Sequence, residues 1–489
     1  MSEHQVPAVS AAGHAPQADG AWHRLHPVTP AVKGWKIVAV LLAVYAQNRG
    51  DDLFVGGGVP GGTELLVSVG ILVVGAVVAA AWSFLSWRMT RYRIDAEVVQ
   101  LHSGILNRQQ RQARLDRLQA VDVVQPLLAR LLGLSELKLE VAGGSGSDVK
   151  LAYLREAEAQ RLRNTLLARA AGVTYETADA PEAPEDELIA VPTDRLLQSL
   201  LRSGTTVAIG VAVVAVLVVV VGFGQTGVLV GLGPLALGLL GAHWGRFSRE
   251  FTFRVALSPD GVRLRHGLLE SRAQTVPPGR VQAVRLSQPL LWRSSDWWRV
   301  QINVAGYGSG GEGQANETVL LPVGTRDEAY GVLSLVLPDL GHAEPRAVLD
   351  DGLAGTGTDV GYRSVPERAR WLDPLGWRRY GFAVTDRALL ARSGRWHRQL
   401  DVVPHERTQS LGLTQGPLQR RLGLASVVAH TTSGPVSPSV PHLDAGVAKA
   451  LLAEQAGRAR AARAAAPPQR WMDAPPVRLD KPDAAAPSP

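Results

Sequence analysis

Apolar residues in this chain are gathered into blocks. From Ser203 to Gly245 no Asp, Glu, Lys or Arg interrupts 43 residues, and Arg202 and Arg246 bracket the block. One helix needs about 20 residues to cross the hydrocarbon core, so this block predicts a pair. Gly222-Phe223-Gly224-Gln225-Thr226-Gly227 at its centre supplies the turn between them. A second uncharged block, Leu65–Trp87, has the length of one crossing, and Ile37–Asn48 before it is too short alone. Snorkelling by Lys33 and Lys36, with Trp35 at the interface, extends that segment. The pattern predicts helical hairpins over 32–87 and 203–245, four crossings in all.

Charge sets their direction. Lys33, Lys36, Arg88, Arg91, Arg93, Arg195, Arg202, Arg246 and Arg249 flank one side, whereas Arg49–Glu64 and Gly222–Gly227 carry almost no positive charge. The positive-inside rule then places both termini and the large polar parts in the cytoplasm. Trp82, Trp87 and Trp244 fall at the inner helix ends, where aromatic belts form. No ionisable residue lies within the span interiors, and Gln225, Thr226 and His243 sit at their ends, so a substrate pathway through the hairpins is disfavoured.

Outside the hairpins the chain repeats itself three times. Gly104, Arg117, Gln119 and Gln125 recur as Gly267, Arg280, Gln282 and Gln288, and again as Gly394, Arg407, Gln409 and Gln415. In every copy the steps from the glycine are 13, 15 and 21 residues, a coincidence too regular for chance. Leu137, Leu139 and Val141 alternate with Lys138 and Glu140, and Val300, Ile302 and Val304 alternate likewise, which is a strand period. Helical segments close the copies at Leu154–Ala170, Thr325–Leu337 and Leu443–Ala456. Each unit is therefore expected to be a small barrel or bent sandwich plugged by a helix.

The resulting order is a polar segment (1–31), hairpin (32–87), unit one (88–171), acidic linker (172–190), interfacial helix (191–202), hairpin (203–245), unit two (246–340), linker (341–360), unit three (361–458) and a disordered tail (459–489). In 191–202, Leu196, Leu197, Leu200 and Leu201 are expected to form one face lying on the inner leaflet. The fold class is an α+β membrane protein. Hairpins that precede repeated Gly…Arg-x-Gln…Gln units, with Trp22-His23-Arg24-Leu25-His26-Pro27 ahead of the first span, resemble the bacterial pleckstrin-homology-like membrane protein family of the YdbS/YdbT type. The resemblance covers roughly residues 22–456. It implies a pleckstrin-homology-like unit of seven strands and a C-terminal helix in each copy, placed on the cytoplasmic side of a bacterial cell membrane. It implies no reaction and no ligand. Trp292-Arg293-Ser294-Ser295-Asp296-Trp297-Trp298 in copy two and the inserted Gly416 in copy three depart from strict equivalence.

Composition narrows the chemistry. With no Cys in 489 residues, disulfides, thiolate nucleophiles and Cys-ligated metals are excluded. Gly306-Tyr307-Gly308-Ser309-Gly310-Gly311 fits a dinucleotide fingerprint formally, but it lies between strands and reads as a hairpin loop. No nucleophile–base set, metal motif or phosphate loop appears, so no enzyme, cofactor or nucleic-acid partner is expected. The repeated Arg and Gln are read as strand neighbours on one face: either a patch that grips an anion or a peptide backbone, or a network that holds the fold. Trp292, Trp297 and Trp298 are read as core or as a membrane wedge, with core favoured. The function expected is a membrane scaffold or adaptor. Its three units would bind lipid headgroups of an anionic inner leaflet, peptides or other membrane proteins, the oligomeric state being left open. A component of an export or transport system is the alternative.

Overall fold

The computed structural model describes residues 22–27, 29–30, 62–95, 98–104, 108–114, 118–141, 149–170, 186–224, 228–258, 261–277, 279–305 and 318–466. The turns 143–146 and 306–311 and much of the first hairpin (32–61) lie outside them. The chain forms two compact bodies, Met1–Glu182 and Ala183–Pro489.

In the first body, strand β1 (Trp22–Arg24) is followed by helix α1 (Gly62–Met89) and strands β2 (Arg91–Ile94), β3 (Val98–Ser103) and β4 (Gln109–Arg114). β1 pairs antiparallel with β2, so Trp22 lies opposite Arg93 although 70 residues separate them in sequence. A second antiparallel layer comes next: β5 (Leu118–Pro126), α2 (Leu127–Leu131), β6 (Leu134–Val141) and β7 (Val149–Arg155), closed by α3 (Glu156–Ala170). Leu137, Leu139 and Leu151 are fully buried, which is the face chosen by the alternating pattern. The end of α1 is tied beside β1: Trp87 Nε1 donates to the Leu25 carbonyl at 3.0 Å and Ser83 Oγ to that of Pro30 at 2.9 Å.

The second body repeats the plan. Strand β8 (Asp186–Ala190) is followed by α4 (Thr193–Leu201), α5 (Gly204–Leu217), a turn of π-helix (Val218–Gly222) and α6 (Val228–Glu250). Then come β9 (Arg254–Ser258), β10 (Gly261–His266), β11 (Glu270–Val276), β12 (Val281–Pro289), a 3₁₀ turn (Leu290–Ser295), β13 (Trp297–Val304), β14 (Val319–Thr325) and α7 (Arg326–Val336). β8 pairs with β9, so the helical hairpin emerges between two neighbouring strands of one sheet. Unit two thus starts before its hairpin, and the expected linker 172–190 ends in a strand. Unit one shows the same arrangement, with β1 in the segment read as polar.

Unit three comes after α8 (Pro345–Ala354) and comprises β15 (Arg363–Ser364), β16 (Gly381–Val384), β17 (Ala388–Ser393), β18 (His397–Pro404), β19 (Ser410–Thr414), α9 (Pro417–Arg421), β20 (Leu424–His430), β21 (Ser439–Asp444) and α10 (Ala445–Ala465). Residues 365–380, with 3₁₀ turns at Glu367–Trp371 and Trp377–Arg379, stand where unit two carries its hairpin. β12 pairs with β18, which merges units two and three into one seven-stranded sheet ordered β14-β13-β12-β18-β17-β16-β15. Arg285 reaches across this seam to Asp401 through two bonds of 2.6 and 2.8 Å. Asn303, fully buried, donates to the Val436 carbonyl at 2.7 Å and accepts from its N–H at 2.9 Å.

Two boundaries and one helix face differ from expectation. The segment 341–360 contains α8, because Val348, Leu349 and Leu353 bury one face. The expected tail from 459 begins as helix: Asp444 caps the α10 amides, Ala459 is buried, and Arg463 donates to the Thr408 carbonyl at 2.6 Å. From residue 467 the tail lies outside the described residues. In α4, Leu196 and Leu200 turn into unit two while Leu197 and Leu201 are exposed, so only one edge of the expected leucine face is left uncovered.

Among the described residues, one helix, Gly204–Gly222, is long and apolar enough to cross a membrane, with mean hydropathy 2.7 and none of it buried. In α1 the apolar stretch is Val73–Met89, and Val73, Val74, Val77 and Val78 are all exposed. α6 packs beside α5 and carries Arg246, Arg249 and Glu250 in its last two turns.

Candidate functional site at the foot of the hairpin

The tryptophan-rich segment that breaks the repeat is where unit two holds its hairpin. Trp292 is 1% exposed, and its indole N–H donates to the Ser199 carbonyl of α4 at 3.0 Å. A buried indole N–H needs such a partner, and this one belongs to the helix leading into the hairpin. Trp298, fully buried, donates to Asp296 Oδ1 at 2.9 Å. The Arg202 guanidinium lies 5.1 Å from the Trp297 ring centre and also bonds Ser295. Arg246, on the returning helix, lies 5.9 Å from the Trp292 ring. Both legs of the hairpin therefore grip one aromatic cluster, each with a cation–π contact.

A buried ion triad completes the collar. Glu250 ends α6 and accepts from Arg299 of β13 at 2.6 Å and from Arg246 at 3.2 Å. Burial opposes the charge on Glu250, but the Arg299 and Arg246 guanidiniums outweigh it and hold the carboxyl below its ordinary value. Burial likewise pulls the Arg246 pKa down, with Glu250 opposing. The α4 leg gains one further tie, Arg195 to Glu328 at 2.6 Å.

The repeated glycine has a backbone cause. Gly104, Gly267 and Gly394 all have positive φ, at 108°, 115° and 74°, and each comes directly after the third strand of its unit. A Cβ at Gly267 would sit 1.9 Å from the Glu270 carbonyl oxygen, and one at Gly394 would sit 1.9 Å from that of His397. The Gly267 turn also caps α6: the Gly267 N–H donates to the Phe251 carbonyl at 2.8 Å and Leu268 N–H to that of Ser248 at 2.7 Å. His266 adds Nδ1 to the Arg249 carbonyl at 2.7 Å; because a carbonyl only accepts, Nδ1 carries the proton. Gly267→Ala is expected to cost at least ~1–3 kcal/mol, from the strained φ alone, and to lower the thermal midpoint of the full chain. An unchanged midpoint would show that the turn relaxes freely.

The repeated Gln and Arg do not act as one patch. The last Gln of each copy ties the end of the fifth strand to the beginning of the sixth. Gln125 Nε2 donates to Ser135 Oγ at 2.9 Å, Gln288 Nε2 to the Trp297 carbonyl at 3.3 Å, and Gln415 Nε2 to the Leu424 carbonyl at 2.9 Å. Gln282 is buried and donates to the Arg280 carbonyl at 3.1 Å, whereas Gln409 is exposed. Arg117 lies outside the described residues, as does the Gln119 side chain. Arg280 and Arg407 are not strand residues as expected: one sits in the turn closed by its own N–H to the Pro277 carbonyl, the other in a 3₁₀ turn at His405–Arg407. The β12–β18 pairing brings these turns together, and a Cβ on Gly279 would lie 3.5 Å from Arg407 Nη2. Burial, and then the like charge of Arg407, pull the Arg280 pKa down. β12 separates this cationic pair from the hairpin end by about 30 Å, nine residues at strand rise.

The collar itself was not legible in the sequence. Glu250 four residues after Arg246 was a visible helical pairing; Ser199, Arg299 and His266 carried no local signal. Among known proteins, the family model described as Bacterial PH domain matches residues 37–170, 205–337 and 361–459. The UPF0699 transmembrane protein YdbT of Bacillus subtilis (strain 168) is 20% identical over 286 residues. That match covers 53% of this chain and 57% of the relative's length. No solved structure matches significantly.

Proposed function

The chain belongs to the bacterial PH domain family, and from that premise we propose that it is an integral membrane scaffold that presents three PH-like units to protein or peptide partners, without catalysis. Both hairpins cross the membrane, giving four helices, and both termini lie in the cytoplasm. The positive flanks support that orientation, and the exposed apolar faces of α1 and α5 support the crossings. One observation carries the reading: the hairpin emerges between β8 and β9 and is clamped there by buried side chains. A unit built around its own anchor holds a fixed orientation to the bilayer, which is what a scaffold requires.

The same geometry selects among partners. Arg280 and Arg407 lie about 30 Å from the hairpin end, beyond reach of headgroups in the leaflet the hairpin occupies. Two crowded guanidiniums there, with Glu406 as an acidic neighbour 3.9 Å from Arg407, suit carboxylates of a protein or peptide. The test is a photo-crosslinking amino acid at Gln409 in the native membrane. A discrete protein adduct is expected, abolished by Arg280→Ala with Arg407→Ala while the thermal midpoint stays unchanged. Absence of any adduct, or one indifferent to both arginines, would remove the proposed partner face.

A further inference from the structure

The repeat contains a feature that neither the fold nor the collar uses. After the clamping Gln, each copy continues Pro-Leu: Gln125-Pro126-Leu127, Gln288-Pro289-Leu290 and, past the inserted glycine, Gln415-Gly416-Pro417-Leu418. A leucine repeated in register would ordinarily be core. Here all three are exposed, at 44%, 40% and 64%. Their turns are held rigid by the Gln bonds described above, so the exposure is built into the fold.

In unit two this turn lies at the hairpin end, and in unit three it lies beside the segment that replaces a hairpin. In unit two the 3₁₀ turn that starts at Leu290 contains Trp292 and Ser295, which bond the foot of the hairpin. Pairing of Pro289 with His397 sets Leu290 beside Trp396, itself 57% exposed, and Arg293 bonds the Arg395 carbonyl next to it. In unit three, Arg368 bonds the Gly423 carbonyl at 3.4 Å and also Asp444, tying the Leu418 turn to the segment that replaces a hairpin. That segment presents Trp371, 72% exposed, with the Arg370 guanidinium 5.6 Å from its ring centre. Exposed Trp and Leu flanked by Arg is the composition of a membrane-interface surface.

The geometry points to a lipid-contacting rim in the second body: the Pro-Leu turns of units two and three enter the interfacial layer of the bilayer beside the hairpin. In unit three Trp371 and Trp396 take the place of the missing anchor. The clamping glutamines are positioning residues that hold the leucines outward. The occupant is lipid because the rim is continuous with the apolar hairpin and is interspersed with arginine, which suits anionic headgroups. This inference rests on the reading of the hairpins as membrane-spanning.

The chain has no Cys, so single cysteines report cleanly. The full-length protein is reconstituted in phosphatidylcholine–phosphatidylglycerol vesicles with an environment-sensitive fluorophore at Leu418→Cys, Trp396→Cys, Val214→Cys in the hairpin, or Asp386→Cys in the β16–β17 turn at the opposite end. The labels at 418 and 396 are expected to shift to the blue and lose most of their fluorescence to nitroxide lipids, whereas 386 does neither. If 214 is quenched but 418 and 396 behave like 386, the rim is overturned and the membrane anchor stands. If 418 and 396 shift to the blue without quenching, a protein covers the rim and the lipid assignment is overturned. If 214 is not quenched either, both this inference and the membrane reading fall.

Discussion

Trp292→Ala is expected to be among the most damaging single substitutions in the second body. The side chain is 1% exposed, and truncating a buried tryptophan costs about 3–5 kcal/mol. It also removes the donor to the Ser199 carbonyl and the ring facing Arg246. The loss should not spread evenly. Units two and three retain the Arg285–Asp401 and Asn303–Val436 ties, whereas α4 loses its indole attachment. Limited proteolysis of the reconstituted protein should therefore show earliest cleavage around Arg195 and Arg202. Trp292→Phe, which keeps most of the ring and loses only the N–H, should fall between wild type and alanine. Equal behaviour of Phe and Ala would mean that the hydrogen bond, not packing, holds α4.

Glu250→Gln is expected to destabilise by a similar amount, about 3–5 kcal/mol, because it leaves Arg299 and Arg246 half-buried without a counter-charge. The substitution nearly preserves shape, so the effect reports charge. It also predicts a pH dependence. The folded carboxyl titrates below its ordinary value of 4.5. A depressed folded pKa contributes stability that is fully present above the unfolded value and is lost as pH falls through the folded one. The Glu250 component of wild-type stability should thus stay constant from neutral pH down to about 5 and weaken below about 4. The Gln variant should lack that component of acid sensitivity. Equal acid dependence in the two proteins would show that Glu250 does not carry it.

The spacing of Gly, Arg and Gln was legible because a turn needing positive φ admits almost only glycine, and the register of a hairpin fixes the positions of the residues after the turn. The strand boundaries were less so. β1 is three residues, Trp22–Arg24, and β8 is Asp186–Ala190, charged and short, with partners more than 60 residues away. A period of two cannot be read from such segments, and the helical segment that follows each makes the unit look as though it starts later. The clamping role of Gln125, Gln288 and Gln415 was open in sequence, since a polar residue repeated at fixed spacing is equally compatible with a ligand patch. The structure adds the bond each of these three makes to the neighbouring strand. The tryptophan cluster is the converse case: its departure from the repeat was plain, but only the position of Ser199 shows what it departs for.

The central claim is that the hairpin foot and unit two form one cooperative structure. Amide hydrogen exchange on the full-length protein in vesicles tests it most directly, comparing Thr193–Leu201 with Trp297–Val304. Both segments should open with the same free energy, and Trp292→Ala should lower protection in α4 more than in β13. Free exchange of α4 in the wild-type protein, while β13 stays protected, would contradict it.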